Sequence, residues 1–204
     1  NKDLNTAPPS FDIYYIGFNV TKPPFDDVNV RKALSYAINK ELIAEQVLGN
    51  LVVPAYGILP PGFPGYSDRV QGYKFDPAKA KEHLAKSKYQ SGDKLPRIVV
   101  TISGTGGQPG LDLEAIMEMW KTTLGVNVEI QQTDWATFLD DMSKRKFQLF
   151  ELGWQADYPD PENFLDVLFY GKSANNHTLY SNPEVDQLLV QARTVRDVSQ
   201  RMAL

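Results

Sequence analysis

The residues of this sequence best suited to chemistry lie together at positions 153–161, Gly-Trp-Gln-Ala-Asp-Tyr-Pro-Asp-Pro, directly after an apolar stretch. A carboxylate between two aromatic side chains, as at Asp157, can hold a cation in a partly desolvated pocket. A structural explanation is also open, in which Trp154 and Tyr158 cover a sheet and Asp160 caps a helix begun by the next proline. We adopt the structural explanation for Asp160 and keep both explanations open for Asp157.

Other kinds of chemistry find little support in the sequence. It has no cysteine and two histidines, His83 and His177, whose separation matches no metal-ligand spacing. The glycines of positions 104–110 follow a predicted strand, but Pro109 stands where a dinucleotide-binding turn needs its third glycine. The acidic positions 157–162 lack the glycine and the glutamate of an EF-hand calcium loop. We therefore predict no catalytic residue, no metal site and no cofactor.

The composition describes an ordinary globular protein. Of 204 residues, 42% are hydrophobic and 23% are charged, which is enough apolar mass for a sizeable core. The net charge of -4 gives no reason to expect nucleic acid or an anionic membrane as a partner. The first residues include neither an initiator Met nor an apolar signal segment, and the last residues stop inside a predicted helix without a cap. We expect an excised segment of a longer chain.

The hydrophobic pattern alternates between the periods of strands and helices, which is typical of an α/β fold with right-handed crossovers. The sequence should fold alone into one α/β domain, because it has its own apolar faces. The predicted strands are 14–20, 97–103, 126–130 and 147–154. The predicted helices are one capped by Asp26 or Asp27, 40–48, 78–86 capped by Asp76, 113–124 ended by Gly125, one capped by Thr133 or Asp134, and one from 161. A last, amphipathic helix is predicted from 182 to the end, with Val185, Leu188, Leu189 and Ala192 inward.

Ordered blocks of sequence carry a resemblance to a known family. From about Tyr14 to Arg201, the chain resembles the second lobe of the family 5 extracellular solute-binding proteins, the oligopeptide-, dipeptide- and nickel-binding group. The specificity lies in the order of the blocks rather than in any one of them. The blocks are 15–19 (YIGFN), 23–28 (PPFDDV), 30–40 (VRKALSYAINK), 54–57 (PAYG) with Pro60-Pro61, 75–77 (FDP), 124–128 (LGVNV), 134–138 (DWATF), 153–158 (GWQADY) and 180–186 (YSNPEVD).

The resemblance implies a fold and a function. The fold would be one lobe of a two-lobed periplasmic-binding-protein fold, with a mixed sheet flanked by helices. Residues 1–13 would lead in from a first lobe that is absent, and residues 14–204 would form the second ligand-binding lobe. The implied function is the substrate-binding component of an ABC importer, a monomeric non-enzyme that captures oligopeptides or dipeptides between two lobes. Its partners would be the peptide and the membrane permease subunits, and its location the periplasm or, as a lipoprotein, the cell surface.

The resemblance also implies a set of ligand-binding residues. In peptide-binding members, the aspartate three residues after the Gly-Trp pair takes the ligand's α-ammonium group, and that position is Asp157 here. An ammonium in a closed, water-poor cleft needs a paired carboxylate. The other implied residues are Trp154, Gln155 and Ala156 in the same pocket, Trp135 and either Asn175 or Asn176 facing the cleft, and, as a weaker candidate, Tyr15.

The sequence departs from the oligopeptide pattern at Glu151. A relative that binds short peptides has an arginine three residues before the Trp, suited to the ligand's C-terminal carboxylate, and a glutamate cannot replace it. Either the terminus binds elsewhere, the ligand is longer, or the ligand is cationic or not a peptide. Within the family, the alternatives are a di- or oligosaccharide, an opine or a nickel chelate, because one fold supports many ligands. Outside it, an α/β hydrolase would need acid/base partners that the sequence lacks.

Overall fold

Four strands form one sheet in the computed structural model, which describes residues 10–204. The strands are β1 (Asp12–Phe18), β2 (Ile98–Ser103), β3 (Val128–Thr133) and β4 (Leu149–Gln155). The helices are α1 (Val28–Tyr36), α2 (Lys40–Leu42) with a π-helical turn at Ile43–Val47, α3 (Pro77–Lys86), α4 (Leu111–Leu124), α5 (Trp135–Ser143), α6 (Glu162–Phe169), α7 (Pro183–Ala192) and α8 (Val198–Met202).

The sheet is mixed, and its strand order is β1-β4-β2-β3. Strand β2 runs parallel to both β3 and β4, whereas β1, an outer strand of the sheet, lies antiparallel to β4. The chain passes from β2 through α4 to β3, and then returns through α5 to β4 on the other side of β2. This arrangement confirms the predicted α/β class with a mixed sheet flanked by helices.

The larger core lies on one face of the sheet, which we call the first face. Helices α1, α3 and α4 pack there against Val100 of β2 and Leu149 of β4, both fully buried. Trp120 of α4 is also fully buried, and its indole N–H donates to the carbonyl oxygen of Leu34 in α1 at 2.9 Å. This bond satisfies the one polar atom of the indole side chain and ties two helices of this layer together.

The opposite face, which we call the second face, carries two smaller cores. In the first, Phe138 and Met142 of α5 pack with Phe147 and Phe150. In the second, α6 and the loop that precedes α3 close over β1, with Ile13, Phe63, Phe164 and Leu168 at its centre. Because successive residues of a strand point to opposite faces, Leu149 and Phe150 serve the two faces in turn.

Helix ends follow the local sequence. Asp27, Asp76 and Asp134 each accept a hydrogen bond from the first turn of the helix that follows, as their positions predict. Gly125 ends α4 with a φ of 70°, a left-handed conformation that favours glycine. The long segment from 54 to 66 contains no helix or strand, because its prolines and glycines disfavour regular structure.

The prediction for the C-terminal tail was wrong. The single helix expected from position 182 is two helices, because the chain leaves α7 at Arg193 and starts again at α8, where Asp197 accepts from the N–H of Gln200. No residue of α7 is buried, and Leu188 is 42% exposed. The apolar side of α7 lines an open groove beside α6 instead of a closed core.

The limits of the predicted domain need two remarks. Of the predicted lead-in segment, positions 1–9 lie outside the described residues, and Asp12 already belongs to β1. Within residues 10–204, no helix has the length and apolar character needed to cross a membrane. The independence of the domain stays a prediction that unfolding can test.

In urea, we expect the isolated chain to unfold in one cooperative transition, and Trp120→Phe to lower the free energy of unfolding by about 1–3 kcal/mol. The smaller ring leaves a void and a buried carbonyl of Leu34 without its donor. Tryptophan fluorescence and circular dichroism should report the same midpoint.

Trp135→Phe is the matched control, because Trp135 is 55% exposed. It should change the free energy of unfolding by no more than about 0.5 kcal/mol. A broad transition, or equal effects of the two substitutions, would contradict the fold described here.

Candidate functional site

The carboxyl ends of the three parallel strands meet at one edge of the sheet. After β2, the chain turns to α4 on the first face, and after β4 it turns to α6 on the second face. Neighbouring parallel strands whose connections diverge in this way open a crevice at their carboxyl ends, where α/β proteins bind ligands. By this rule, the expected ligand crevice lies between the loops at 104–110 and 156–161.

The loop after β4 is held by hydrogen bonds from two directions. The N–H of Ala156 donates to the carbonyl oxygen of Phe11 at 2.9 Å, which extends the pairing of β4 with β1. The N–H of Asp157 donates to Oδ1 of Asn163 in α6 at 3.3 Å, and the indole N–H of Trp154 donates to the same oxygen at 3.1 Å. The backbone at Asp157 is therefore placed by α6.

The acidic side chains of this loop differ in their partners. Asp160 binds Arg201 through both carboxylate oxygens at 2.6 and 2.7 Å, and this guanidinium lowers the pKa of Asp160. Asp160 also accepts from the N–H of Glu162, so its predicted capping role is confirmed. Glu162 accepts a hydrogen bond from the hydroxyl of Tyr158. The exposed carboxylate of Asp157 has no hydrogen-bond donor or cation beside it among residues 10–204.

Trp154 and Tyr15 line the second face close to this loop. The half-buried indole of Trp154 packs on the cluster of Ile13, Phe164 and Leu168, so it covers the sheet as the structural explanation proposed. Tyr15 lies on β1 between the two smaller cores, and burial raises its pKa to about 12. Both side chains therefore belong to the apolar packing of the second face.

Glu151 lies on β4 opposite Ile16 of β1, two residues beyond the buried Leu149 and on the same first face. It is half-buried, and its pKa is raised, first by burial and second by the negative charge of Asp112 in the first turn of α4. Neither carboxylate forms an ion pair within the described part of the chain. The crevice border is therefore acidic.

Two of the remaining candidates at this edge, Gln155 and Trp135, are exposed. Gln155 ends β4 opposite Asp12, and Ala156 is half-buried beside it. Trp135 begins α5 at the carboxyl end of β3, where its ring stacks on Phe138 with the centroids 5.8 Å apart. The topology thus brings Trp135, Trp154 and the residues around Asp157 to the same edge of the sheet.

Asn175 and Asn176 lie at the amino end of β4, away from the loop that carries Asp157. Their loop follows α6 and contacts the amino end of β4, because Arg145 donates to the carbonyl oxygen of Ala174 and His177 lies against Phe150. Asn175 is exposed there. Asn176 is 2% exposed, and its amide donates to the carbonyls of Tyr170 and Tyr180. We therefore leave both asparagines out of the site.

Sequence reasoning missed two residues of this region. Asn163 was not singled out, although a buried asparagine beside Phe164 needs hydrogen-bond partners, and its low helix propensity was a weak signal. Asp112 was not singled out because only the fold brings it near Glu151. Between residues 10 and 204, no three His, Asp or Glu side chains come together in a group that could hold a metal ion.

Comparison with known proteins matches this chain to a family of solute-binding proteins. The family model of bacterial extracellular solute-binding proteins, family 5 Middle, matches residues 1–176. The chain is 33% identical to the oligopeptide-binding protein OppA of Bacillus subtilis, and the match covers 96% of this chain and 37% of OppA. It is 34% identical to heme-binding protein A of Haemophilus influenzae, covering 100% of this chain and 36% of that protein.

A solved structure extends the likeness to three dimensions. The murein tripeptide binding protein MppA of Escherichia coli superimposes with a TM-score of 0.83 at 29% identity, over 96% of this chain and 39% of MppA. The chain thus spans a little over a third of the length of the relatives that it matches.

We expect acid to destabilise the fold through His177. Burial, with a second contribution from Arg145, lowers its pKa from 6.5 to about 4, so the folded state resists a proton that the unfolded chain accepts. The stability is fully present above about pH 6.5 and is lost as the pH falls toward 4. After allowance for solvent screening of a half-buried ring, the loss from this group between pH 7 and 4.5 is about 1–2 kcal/mol.

Urea unfolding of the unsubstituted protein and of His177→Gln at both pH values provides the measurement. The glutamine cannot titrate, so its loss of stability on acidification should be smaller by that amount. Equal losses in the two proteins would show that His177 titrates alike in the folded and unfolded states.

Proposed function

Because this chain belongs to the bacterial extracellular solute-binding proteins of family 5, we propose that it forms one wall of a cleft that captures oligopeptides or dipeptides for an ABC importer. The observation that carries the proposal is Asp157, a carboxylate without a partner in the described chain, on a loop bordering the crevice at the carboxyl ends of parallel strands. The names of OppA and MppA, which bind oligopeptides and a murein tripeptide, support a peptide as the ligand.

In the proposed complex, Asp157 pairs with the α-ammonium group of the ligand. A cation and a carboxylate attract each other strongly once water is excluded, and a hydrogen-bonded pair avoids the cost of a buried single charge. Trp154, held on the second face, gives the pocket a rigid apolar floor, and Gln155 and Ala156 offer main-chain groups at the end of β4. Main-chain recognition leaves the side chains of the peptide free to vary.

Glu151 and Asp112 narrow the proposed ligand class. A peptide carboxylate placed beside them would meet two like charges in a half-buried setting. We therefore propose that the C-terminus of the peptide binds away from β4, and that a lysine or arginine side chain of the ligand is favoured near Glu151. The ligand is then a longer peptide or a cationic one.

The proposed role is non-catalytic. The membrane permease of the importer would be the protein partner, and the location would be periplasmic or, with a lipid anchor, on the cell surface. Hydrolysis of any screened peptide, ester or phosphate by the intact protein, abolished by Asp157→Asn, would support the α/β hydrolase alternative instead.

A second candidate ligand is a compound other than a peptide, and the similarity to a heme-binding protein favours it. A sugar, an opine or a nickel chelate would occupy the same crevice without needing an ammonium at Asp157. Mass spectrometry of small molecules that copurify with the intact protein distinguishes these classes directly.

We expect Asp157→Asn in the intact protein to weaken binding of a peptide with a free N-terminus by about 2–5 kcal/mol. That loss is roughly 30-fold to several thousandfold in Kd, because the ammonium of the ligand stays buried without its counter-charge. Calorimetry with one peptide and its N-acetylated form measures the effect, and acetylation should abolish most of the difference between the two proteins.

Glu151→Gln is the matched control, since it removes a negative charge from the same strand-loop unit. It should weaken binding less than Asp157→Asn, or tighten binding of a ligand with a nearby carboxylate, because it relieves like-charge repulsion. If both proteins with Asp or Asn at position 157 bind free and acetylated peptides equally, the ammonium assignment fails and the non-peptide class takes its place.

A further inference from the structure

Asn163 is a buried polar residue that has no role in the proposed function as described above. It lies in the first turn of α6 and is 2% exposed, among the apolar side chains that close the second face. A buried amide is costly unless its polar atoms are hydrogen-bonded. Its partners therefore indicate what the residue does.

Oδ1 of Asn163 accepts two hydrogen bonds from the loop after β4. One comes from the indole N–H of Trp154 at 3.1 Å, and the other from the backbone N–H of Asp157 at 3.3 Å. A single oxygen thus joins the apolar floor of the proposed site to the backbone of its charged residue. Neither bond belongs to the regular pairing of β4 or to the hydrogen bonds of α6.

Other hydrogen bonds hold the neighbours of Asp157, including those of Tyr158 with Glu162 and of Asp160 with Arg201. The N–H of Ala156 is bound to Phe11, and the N–H of Asp160 is bound to the carbonyl oxygen of Tyr158. Between these two donors, the N–H of Asp157 is bound only by Asn163 within the described residues, and the N–H of Tyr158 has no partner there. Among residues 10–204, the contact with Asn163 is thus the one hydrogen bond recorded for the backbone N–H of Asp157.

We propose that Asn163 positions Asp157 for the ligand's ammonium group, an inference that rests on the proposed role of Asp157. Asn163 acts through the loop and not by touching the ligand. Without its oxygen, the backbone at Asp157 samples several conformations in the free protein. The ligand must then order the loop as it binds. This ordering cost weakens only the binding of peptides whose N-terminus carries the charged ammonium group.

Asn163→Leu removes the acceptor while keeping a side chain of similar size. In the intact protein, we expect it to weaken binding of a peptide with a free N-terminus roughly 10-fold to 100-fold, as removal of supporting residues does at metal sites. Binding of the N-acetylated peptide should change by less than about threefold. The measured quantity is the Kd of the N-acetylated peptide divided by the Kd of the free peptide, both from calorimetry.

Asn176→Leu provides the matched control. Asn176 is also an asparagine 2% exposed with its amide bonded to the main chain, but it lies at the opposite edge of the sheet. Both substitutions should lower the urea midpoint of the protein, whereas only Asn163→Leu should reduce the ratio of the two constants. A merely structural role of Asn163 would lower stability and leave that ratio unchanged.

The outcomes separate this inference from the proposed function. If the unsubstituted protein prefers the free peptide and Asn163→Leu keeps the full preference, the positioning role is wrong and the ammonium site stands. If the unsubstituted protein has no preference, both are wrong. Should Asn163→Leu not fold, hydrogen exchange in the unsubstituted protein decides. Slower exchange at the Asp157 amide than at the Tyr158 amide supports the role, and equal exchange overturns it.

Discussion

The contact between the parallel strands β2 and β4 is the constraint on which the rest of the structure depends. At this contact, Val100 pairs with Leu149 and Thr101 with Phe150, and all four residues are buried. Strands buried on both faces require helices on both faces, which α4 and α5 supply from opposite sides. Because the two strands are neighbours but their following helices are not, the crevice at their carboxyl ends is a result of packing and needs no special residues.

The arrangement of charges beside that crevice follows from the helices that surround it. Arg201 neutralises Asp160, and Glu162 is bound by Tyr158, so two carboxylates serve the local fold. Asp157 remains for the proposed ligand. The contrast is informative because the sequence offers all three acids within six residues, and only their partners in three dimensions distinguish them.

Much of the fold could be predicted because its determinants are local. The caps at Asp76 and Asp134 and the stop at Gly125 depend on residues within one turn, and periodicity identifies the strands. The position of Asn176 could not be read in this way, since it depends on α6 returning along β4 to the far edge of the sheet. The exposure of α7 was missed because apolar spacing does not distinguish a buried helix face from the wall of an open groove.

In the candidate site, too, the residue marked by local sequence could be predicted and the residue that acts through contacts formed only in the fold could not. The family resemblance and the aromatic neighbours both indicated Asp157, but neither could indicate Asn163, six positions further on, because its importance lies in two hydrogen bonds across a loop.

The order of this loop also affects the free energy of binding in the proposed complex. An exposed carboxylate is well hydrated, so pairing it with an ammonium gains little until a second wall removes the water. A preordered loop matters most at that step, because the charge then sits where the closing cleft excludes water and the ligand spends no binding energy on ordering it. The strength of the proposed interaction therefore depends jointly on the closure of the cleft and on the rigidity that α6 gives to the loop.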